Sequence, residues 1–121
     1  VCMSDISTST MNLLEKVLDV SSERQQLVAA NMANVDTPGY QTKDIDFHGE
    51  LQKAVTDGQA NFMPVVRSVQ GLLERPDGNN VSMDREGLLL AETQLQFGLG
   101  VQLLHHEFSN LFLAINEGNK S

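Results

Sequence analysis

The sequence predicts a mainly α-helical protein, in which two long terminal helices form an antiparallel, coiled-coil-like pair and a short irregular middle contains at most a little β-structure. Residues from about 9 to 34 contain no Gly or Pro, whereas all three prolines lie within residues 35–82. From about residue 83 to 117, apolar residues recur with alternating spacings of three and four, as in a helix that buries one face. We therefore expect one domain spanning residues 1–121, with these three parts.

The predicted amino-terminal helix, about residues 9–34, opens with the Ser and Thr residues at 7–10, which are common helix caps. Its apolar stripe includes Leu14, Val28 and Met32, but the polar stretch 21–26 interrupts it. An interrupted stripe buries less apolar surface. We therefore expect partial burial, or a polar partner, along this part of the helix.

The middle segment, residues 35–82, lacks a sustained helical period. Residues 46–55 are compatible with a short helix weakened by Gly49, and residues 63–69 with a short extended stretch. Residues 75–80, RPDGNN, are typical of a tight turn, because proline fixes its own φ and Gly or Asn tolerates the left-handed conformation. We therefore expect a loop-rich middle.

The predicted carboxy-terminal helix, about residues 83–117, is capped by Ser82 or Asp84 and stopped near Gly118. At ~1.5 Å per residue its ~33 residues form a rod of about 50 Å, which is long for a domain of this size. Neighbouring copies are expected to cover what the first helix leaves exposed. The predicted assembly seam has heptad spacing, interrupted only by Gln94, and consists of Leu90, Phe97, Val101, Leu104, Phe108, Leu111 and Ile115.

Composition argues against several functional classes. The net charge is −8 and the arginines are scattered, which disfavours nucleic-acid binding. No apolar run approaches the ~20 residues needed to span a membrane. The amino end lacks the basic start and apolar run of a secretory signal, so we expect any export to use another route.

No residue pattern indicates catalysis, a cofactor or a metal site. The single cysteine, Cys2, excludes an internal disulfide, and no Cys/His spacing suits zinc. Residues 44–49 begin like a calcium loop, but the twelfth position is Val55 rather than the required Glu. No Ser or Cys lies in the context of an activated nucleophile. We therefore predict that the protein is not an enzyme.

Residues 30–40, ANMANVDTPGY, contain the most specific motif. Pro38 disfavours helical backbone at Thr37, so the first helix must end before it. Pro38 and Gly39 suit the central positions of a type II turn. Asn31 and Asn34 lie three apart on one helix face, where we expect their amides to bond the turn that follows.

This string resembles the signature of the bacterial flagellar rod, hook and related axial proteins. Three further features are similar to the proximal rod class of that family: the short length, the TKDIDF that follows the turn, and the DGNNVSMDRE that introduces the last helix. The closing stretch AETQLQFGLGVQLLHHEFSNLFLAINEG also resembles that class, so that the resemblance covers residues 3–118. The fixed positions of the signature are all present: Ala30 and Ala33, together with Asn31, Asn34, Thr37, Pro38, Gly39 and Tyr40.

The resemblance implies a structural subunit of the flagellar basal-body proximal rod. Such a subunit is exported unfolded by the flagellar type III apparatus, without a cleaved signal, and polymerises in the periplasm through its terminal helices. The implied partners are copies of itself, other rod subunits, and the rod adaptor, membrane ring or export-gate base. The alternative from the residues alone is a helical adaptor or chaperone of an export system that does not polymerise.

Overall fold

The two terminal helices form the most extensive contact of the fold, and the middle of the chain packs beside α1. The computed structural model describes residues 3–57 and 63–119. The predicted mainly α fold, with long terminal helices and a little β-structure in the middle, is confirmed. The elements are α1, Met3–Ala33; β1, Lys43–Ile45; α2, Phe47–Asp57; β2, Val66–Ser68; and α3, Met83–Asn119.

The two long helices run antiparallel. Asn31, near the end of α1, bonds Glu86, near the start of α3, whereas Leu18 meets Gly100 further along α3. A Cβ atom at Gly100 would lie 3.0 Å from Leu18 Cδ2. The helices therefore approach closely here because α3 carries no side chain at this position.

The helix ends differ in detail from the sequence prediction. α1 begins at Met3, upstream of the Ser and Thr run, whose helix propensity is weak but not prohibitive. Ser82 caps α3, since its Oγ accepts from the Arg85 amide at 3.3 Å. Gly118 lies inside α3 without a positive φ, so it does not form the left-handed stop that we expected there.

The middle segment is more ordered than a series of loops. β1 pairs with β2 in an antiparallel register that places Lys43 opposite Ser68 and Ile45 opposite Val66. Asp46 caps α2 by accepting from the Gly49 amide at 3.2 Å. The expected helix at 46–55 and extended stretch at 63–69 correspond to α2 and β2. β1 was not anticipated.

The core is narrow and partly polar. Its buried apolar side chains are Leu14, Val20, Val28, Ile45 and Leu89. The hydroxyl groups of Ser21 and Thr93 are buried and make no hydrogen bond that the structure shows. The polar interruption of α1 is thus packed inside at Ser21, where it contributes little stabilisation. Within residues 3–57 and 63–119, no helix is long and apolar enough to cross a bilayer.

Candidate assembly surface

Asn31 is the centre of a buried cluster at the end of α1, and only 1% of it is exposed. Its Nδ2 donates to the Lys43 carbonyl at 2.8 Å and to Glu86 Oε2 at 3.1 Å. Its Oδ1 accepts from the Tyr40 hydroxyl at 3.0 Å and from the Lys43 amide at 3.2 Å. The amide therefore joins α1, the turn, β1 and α3, and uses its full hydrogen-bonding capacity.

The turn after α1 has the predicted form. The Tyr40 amide donates to the Thr37 carbonyl at 3.3 Å, and Gly39 has a φ of 76°, as a type II turn requires. Asn34 Oδ1 accepts from Thr37 Oγ1 at 3.0 Å, while its Nδ2 donates back to the Ala30 carbonyl at 2.8 Å. Both asparagines thus bond the turn, whereas Pro38 is exposed.

The second turn, residues 75–80, packs against the first. Asn79 is buried and donates to the Asn34 and Thr37 carbonyls, both at 2.8 Å. Asn80 accepts from the Thr42 amide at 2.7 Å. A Cβ atom at Gly78 would lie 3.2 Å from Gly39 Cα. The close approach of the two turns therefore leaves little room for a side chain at Gly78. Asn79 and Asn80 bond backbone groups of the chain that follows α1.

Charged side chains complete this cluster. Asp44 pairs with Arg24 at 2.9 Å and with Arg85 at 2.7 Å. Arg85 also donates to the buried Glu86 at 2.8 Å. We call the whole set the polar junction; its members are Arg24, Asn31, Asn34, Tyr40, Asp44, Asn79, Asn80, Arg85 and Glu86.

Two pKa shifts follow from this arrangement. Burial alone would raise the pKa of Asp44, but hydrogen bonds from Arg24, the Ile45 amide and Arg85 bring it below its ordinary value. Burial and the nearby Glu86 charge raise the pKa of Tyr40. Asp44 is therefore charged at neutral pH and serves as an ion-pair partner. In the described part of the chain, no cluster of three or more His, Cys, Asp or Glu is placed to hold a metal ion.

The Asp44 shift predicts an acid-sensitive contribution to stability. Because the folded pKa is lower than the ordinary 3.8, this contribution is present above that value and is lost as pH falls through the folded pKa. We expect Asp44→Asn to lose about 1–2 kcal/mol at pH 7, and the two proteins to converge in acid. Urea unfolding from pH 7 to pH 2 measures this, and a constant difference at all pH values would contradict the ion-pair role.

Gly39 offers a separate test of the turn. Gly39→Val is expected to cost about 1–2 kcal/mol or more, because a branched residue resists positive φ. The space around Gly39 is open, so the cost arises from the backbone alone. Gly39→Asn is the matched control, since asparagine tolerates this conformation. Urea unfolding compares them, and equal stability of the two variants would show that φ at this position is unimportant.

The predicted assembly seam on α3 divides into two parts. Leu90, Leu104 and Leu111 are half-buried, whereas Phe97, Val101, Phe108 and Ile115 are exposed. The most buried line of residues along α3 shares Leu104 and Leu111 with the seam and otherwise runs beside it. Because α1 is the main partner of α3, this line marks the α1-facing side. It consists of Glu86, Leu89, Thr93 and Gly100, followed by the half-buried Leu104, Glu107 and Leu111.

Exposed apolar residues continue along α3 outside that seam. The large apolar side chains exposed on α3 are Met83, Leu88, Leu95, Phe97, Leu99, Val101, Leu103, Phe108, Phe112, Leu113 and Ile115. No large apolar side chain is exposed on α1 among the described side chains. Exposed apolar surface of this extent marks an interaction site. The candidate site is therefore the outer surface of α3, and the polar junction fixes the start of α3 against α1 and β1.

Comparison with known proteins identifies the family. A family model described as flagella basal body rod protein matches residues 5–41, which include nearly all of α1 and the turn motif. The chain is 31% identical to the flagellar basal body rod protein FlgB of Salmonella typhimurium (strain LT2), over 97% of this chain and 100% of that protein. The chain belongs to the FlgB family of flagellar basal body rod proteins. The resemblance seen in the sequence is thereby confirmed.

Other FlgB proteins match over similar lengths. The FlgB of Escherichia coli (strain K12) is 30% identical over 97% of this chain and 100% of its own length. That of Borrelia hermsii is 28% identical over 92% of this chain and 98% of its own. A member of this family is a structural subunit of the basal-body rod, and the apolar surface of α3 belongs to such a subunit.

Proposed function

We propose that this FlgB-family subunit polymerises in the proximal rod through its terminal helices, with neighbouring subunits covering the exposed face of α3. The observation that carries the proposal is the concentration of exposed apolar side chains on α3, with none of large size on the described part of α1. At ~25 cal/mol per Å², covering such a surface supplies the main driving force for association. Membership of a family of rod proteins supports the proposal, because such a subunit works within an assembly.

The small core supports the same proposal. Only five apolar side chains are buried among the described residues, and they share the interior with Ser21, Thr93 and Glu86. The contact between α1 and α3 therefore leaves most of the apolar surface of α3 in water. A subunit of this kind gains much of its stability on assembly.

The proposed partners are copies of this chain, other rod subunits, and the rod adaptor, membrane ring or export-gate base at the lower end. The subunit reaches the periplasmic rod through the flagellar export apparatus, and its role is structural rather than enzymatic. The acidic net charge argues against nucleic acid as a partner. Relatives named as rod proteins favour this function over the adaptor or chaperone alternative.

Cysteine labelling tests the proposal directly. Val101→Cys and Gln70→Cys are each made in a Cys2→Ser chain and expressed in a strain lacking its own FlgB. Both positions are exposed in the free subunit, so a maleimide should label both purified proteins. In isolated basal bodies we expect position 101 to be protected. Absence of the chain from basal bodies, or undiminished labelling at position 101 within them, would contradict the proposal.

A further inference from the structure

α3 carries a second apolar stripe that the predicted seam does not include. Its members are more than half exposed, at 70%, 74%, 55% and 59% for Leu88, Leu95, Leu99 and Leu113. At ~100° per residue they fall within one narrow sector, roughly 135° from the α1-facing side. We call these four leucines the back stripe. A single partner beyond α1 does not readily cover both this stripe and the seam.

The exposed residues of the seam form the other stripe. Phe97, Val101, Phe108 and Ile115 lie beside the α1-facing side, and we call them the edge stripe. The two stripes are about 160° apart around the helix. The surface between them is small or polar and exposed at Ala91, Gly98, Ser109 and Asn116, but the exposed Phe112 also lies there. Phe112 lines a shallow groove that joins Phe108 of the edge stripe to Leu113 of the back stripe. α3 therefore presents two apolar surfaces that are separate over residues 88–101 and meet near Phe112.

Charge indicates which surface of another copy covers them. Each chain has a net charge of −8, so that copies repel one another in general. The outer side of α1 exposes Glu15 and Asp19, and it offers no large apolar side chain within its described part. In contrast, residues 93–106 of α3 contain no Asp, Glu, Lys or Arg. Exposed apolar side chains also occur in the middle segment, at Val55, Met63, Val65, Val66 and Leu73, but none lies on a stretch as long and as free of charged residues. The surface of a second copy that suits either stripe best is thus α3 itself.

We infer that the edge stripe of one copy packs against the back stripe of the next. The stripes differ in shape, since the back stripe consists of leucines and the edge stripe of aromatic and β-branched residues, which allows side chains of one to fill gaps in the other. A contact between unlike surfaces leaves one stripe free at each end, and therefore propagates. Edge-on-edge pairing would instead close at a dimer and leave the back stripe in water. This inference rests on the proposed function and specifies the surfaces involved.

Disulfide trapping decides between these arrangements. In the Cys2→Ser chain, Val101→Cys or Phe108→Cys marks the edge stripe, and Leu95→Cys or Leu99→Cys marks the back stripe. Asn116→Cys, which is exposed between the stripes and does not line the groove at Phe108, is the matched control. Basal bodies from strains that co-express one edge and one back variant are oxidised and analysed by non-reducing electrophoresis. We expect covalent dimers from edge plus back, at least fivefold above either variant alone or the control.

A chain carrying one cysteine on each stripe should yield trimers and longer species. Dimers from an edge variant alone would overturn the inference, as would incorporation of the variants without edge-to-back products in any pairing. Loss of all variants from basal bodies, with Asn116→Cys lost as well, would instead count against the proposed function. The same pairings, tested on the concentrated purified chain with a short bifunctional maleimide, decide the contact independently of incorporation. In that experiment, a product that contains only monomers, or dimers joined edge to edge, would reject the inferred contact.

Discussion

Asn31→Leu is expected to destabilise the free subunit by about 4–6 kcal/mol, enough to unfold much of a small domain. The substitution keeps a similar volume but removes every hydrogen bond made by the Asn31 amide. The Tyr40 hydroxyl, both backbone groups of Lys43 and one oxygen of Glu86 lose a partner. Because these groups are at least partly buried, each costs on the order of 1 kcal/mol or more when left unpaired.

Asn34→Leu is the matched control for Asn31→Leu. Asn34 has the same side chain three residues later, but its two side-chain bonds are exposed to water, so we expect a loss of only about 0.5–1 kcal/mol. Urea unfolding of both proteins at neutral pH provides the comparison, with swimming of complemented strains as a second measurement. Losses of equal size would show that the polar junction does not depend on Asn31.

The sequence was informative about the turn because the rules for a turn are local. Pro38 and Gly39 predicted both the end of α1 and a positive φ, and the structure agrees. The two asparagines were also predicted to bond this turn. That Asn31 reaches Glu86, 55 positions away, depends on tertiary packing, and no spacing along the chain indicates it.

The ion pairs of Asp44 were missed for the same reason. Residues 44–49 were considered only as a weak calcium-loop pattern, whereas Arg24 and Arg85 approach Asp44 from two different helices. Asn79 and Asn80 were assigned to a turn, but not to the cluster around α1. The sequence did contain one signal of this cluster, the pair Asn79 and Asn80. The turn needs only one residue after Asp77 that tolerates the left-handed conformation, and Gly78 already provides it. The two asparagines are therefore free to bond other parts of the chain.

The position of the α3 seam shows a limit of hydrophobic periodicity. The most apolar line predicted from the sequence coincides with the line that faces α1 only at Leu104 and Leu111. The α1-facing line includes Glu86, Thr93 and Gly100. Glu86 bonds within the polar junction and Gly100 allows the two helices to approach closely, so apolar area is not what places residues on this line. Consequently, the apolar line was displaced toward the exterior, where four of its members are exposed. The back stripe was missed because polar residues occupy some of the positions of its heptad spacing. These polar residues interrupt the line of leucines in the sequence.

Phe108→Asp is expected to leave the free subunit nearly unchanged and to remove it from the rod. Phe108 is 56% exposed and lines a shallow groove with His105, Ser109, Phe112 and Leu113. In the free subunit the new charge stays in water, so we expect a change of about 0.5 kcal/mol or less. Against a neighbouring subunit, the same change removes a large apolar side chain and buries a carboxylate, which costs on the order of 3–5 kcal/mol for each contact.

The two halves of this prediction are measured separately. Urea unfolding of the purified protein reports on the free subunit, and recovery in isolated basal bodies reports on assembly. Asn116→Asp is the matched control, because it introduces the same charge at an exposed position between the two stripes that does not line this groove, and we expect it to be incorporated at close to the level of the unaltered chain. Recovery of Phe108→Asp at that level would mean that this face of α3 stays in water within the rod. A large loss of stability in its free subunit would mean that Phe108 serves folding rather than assembly.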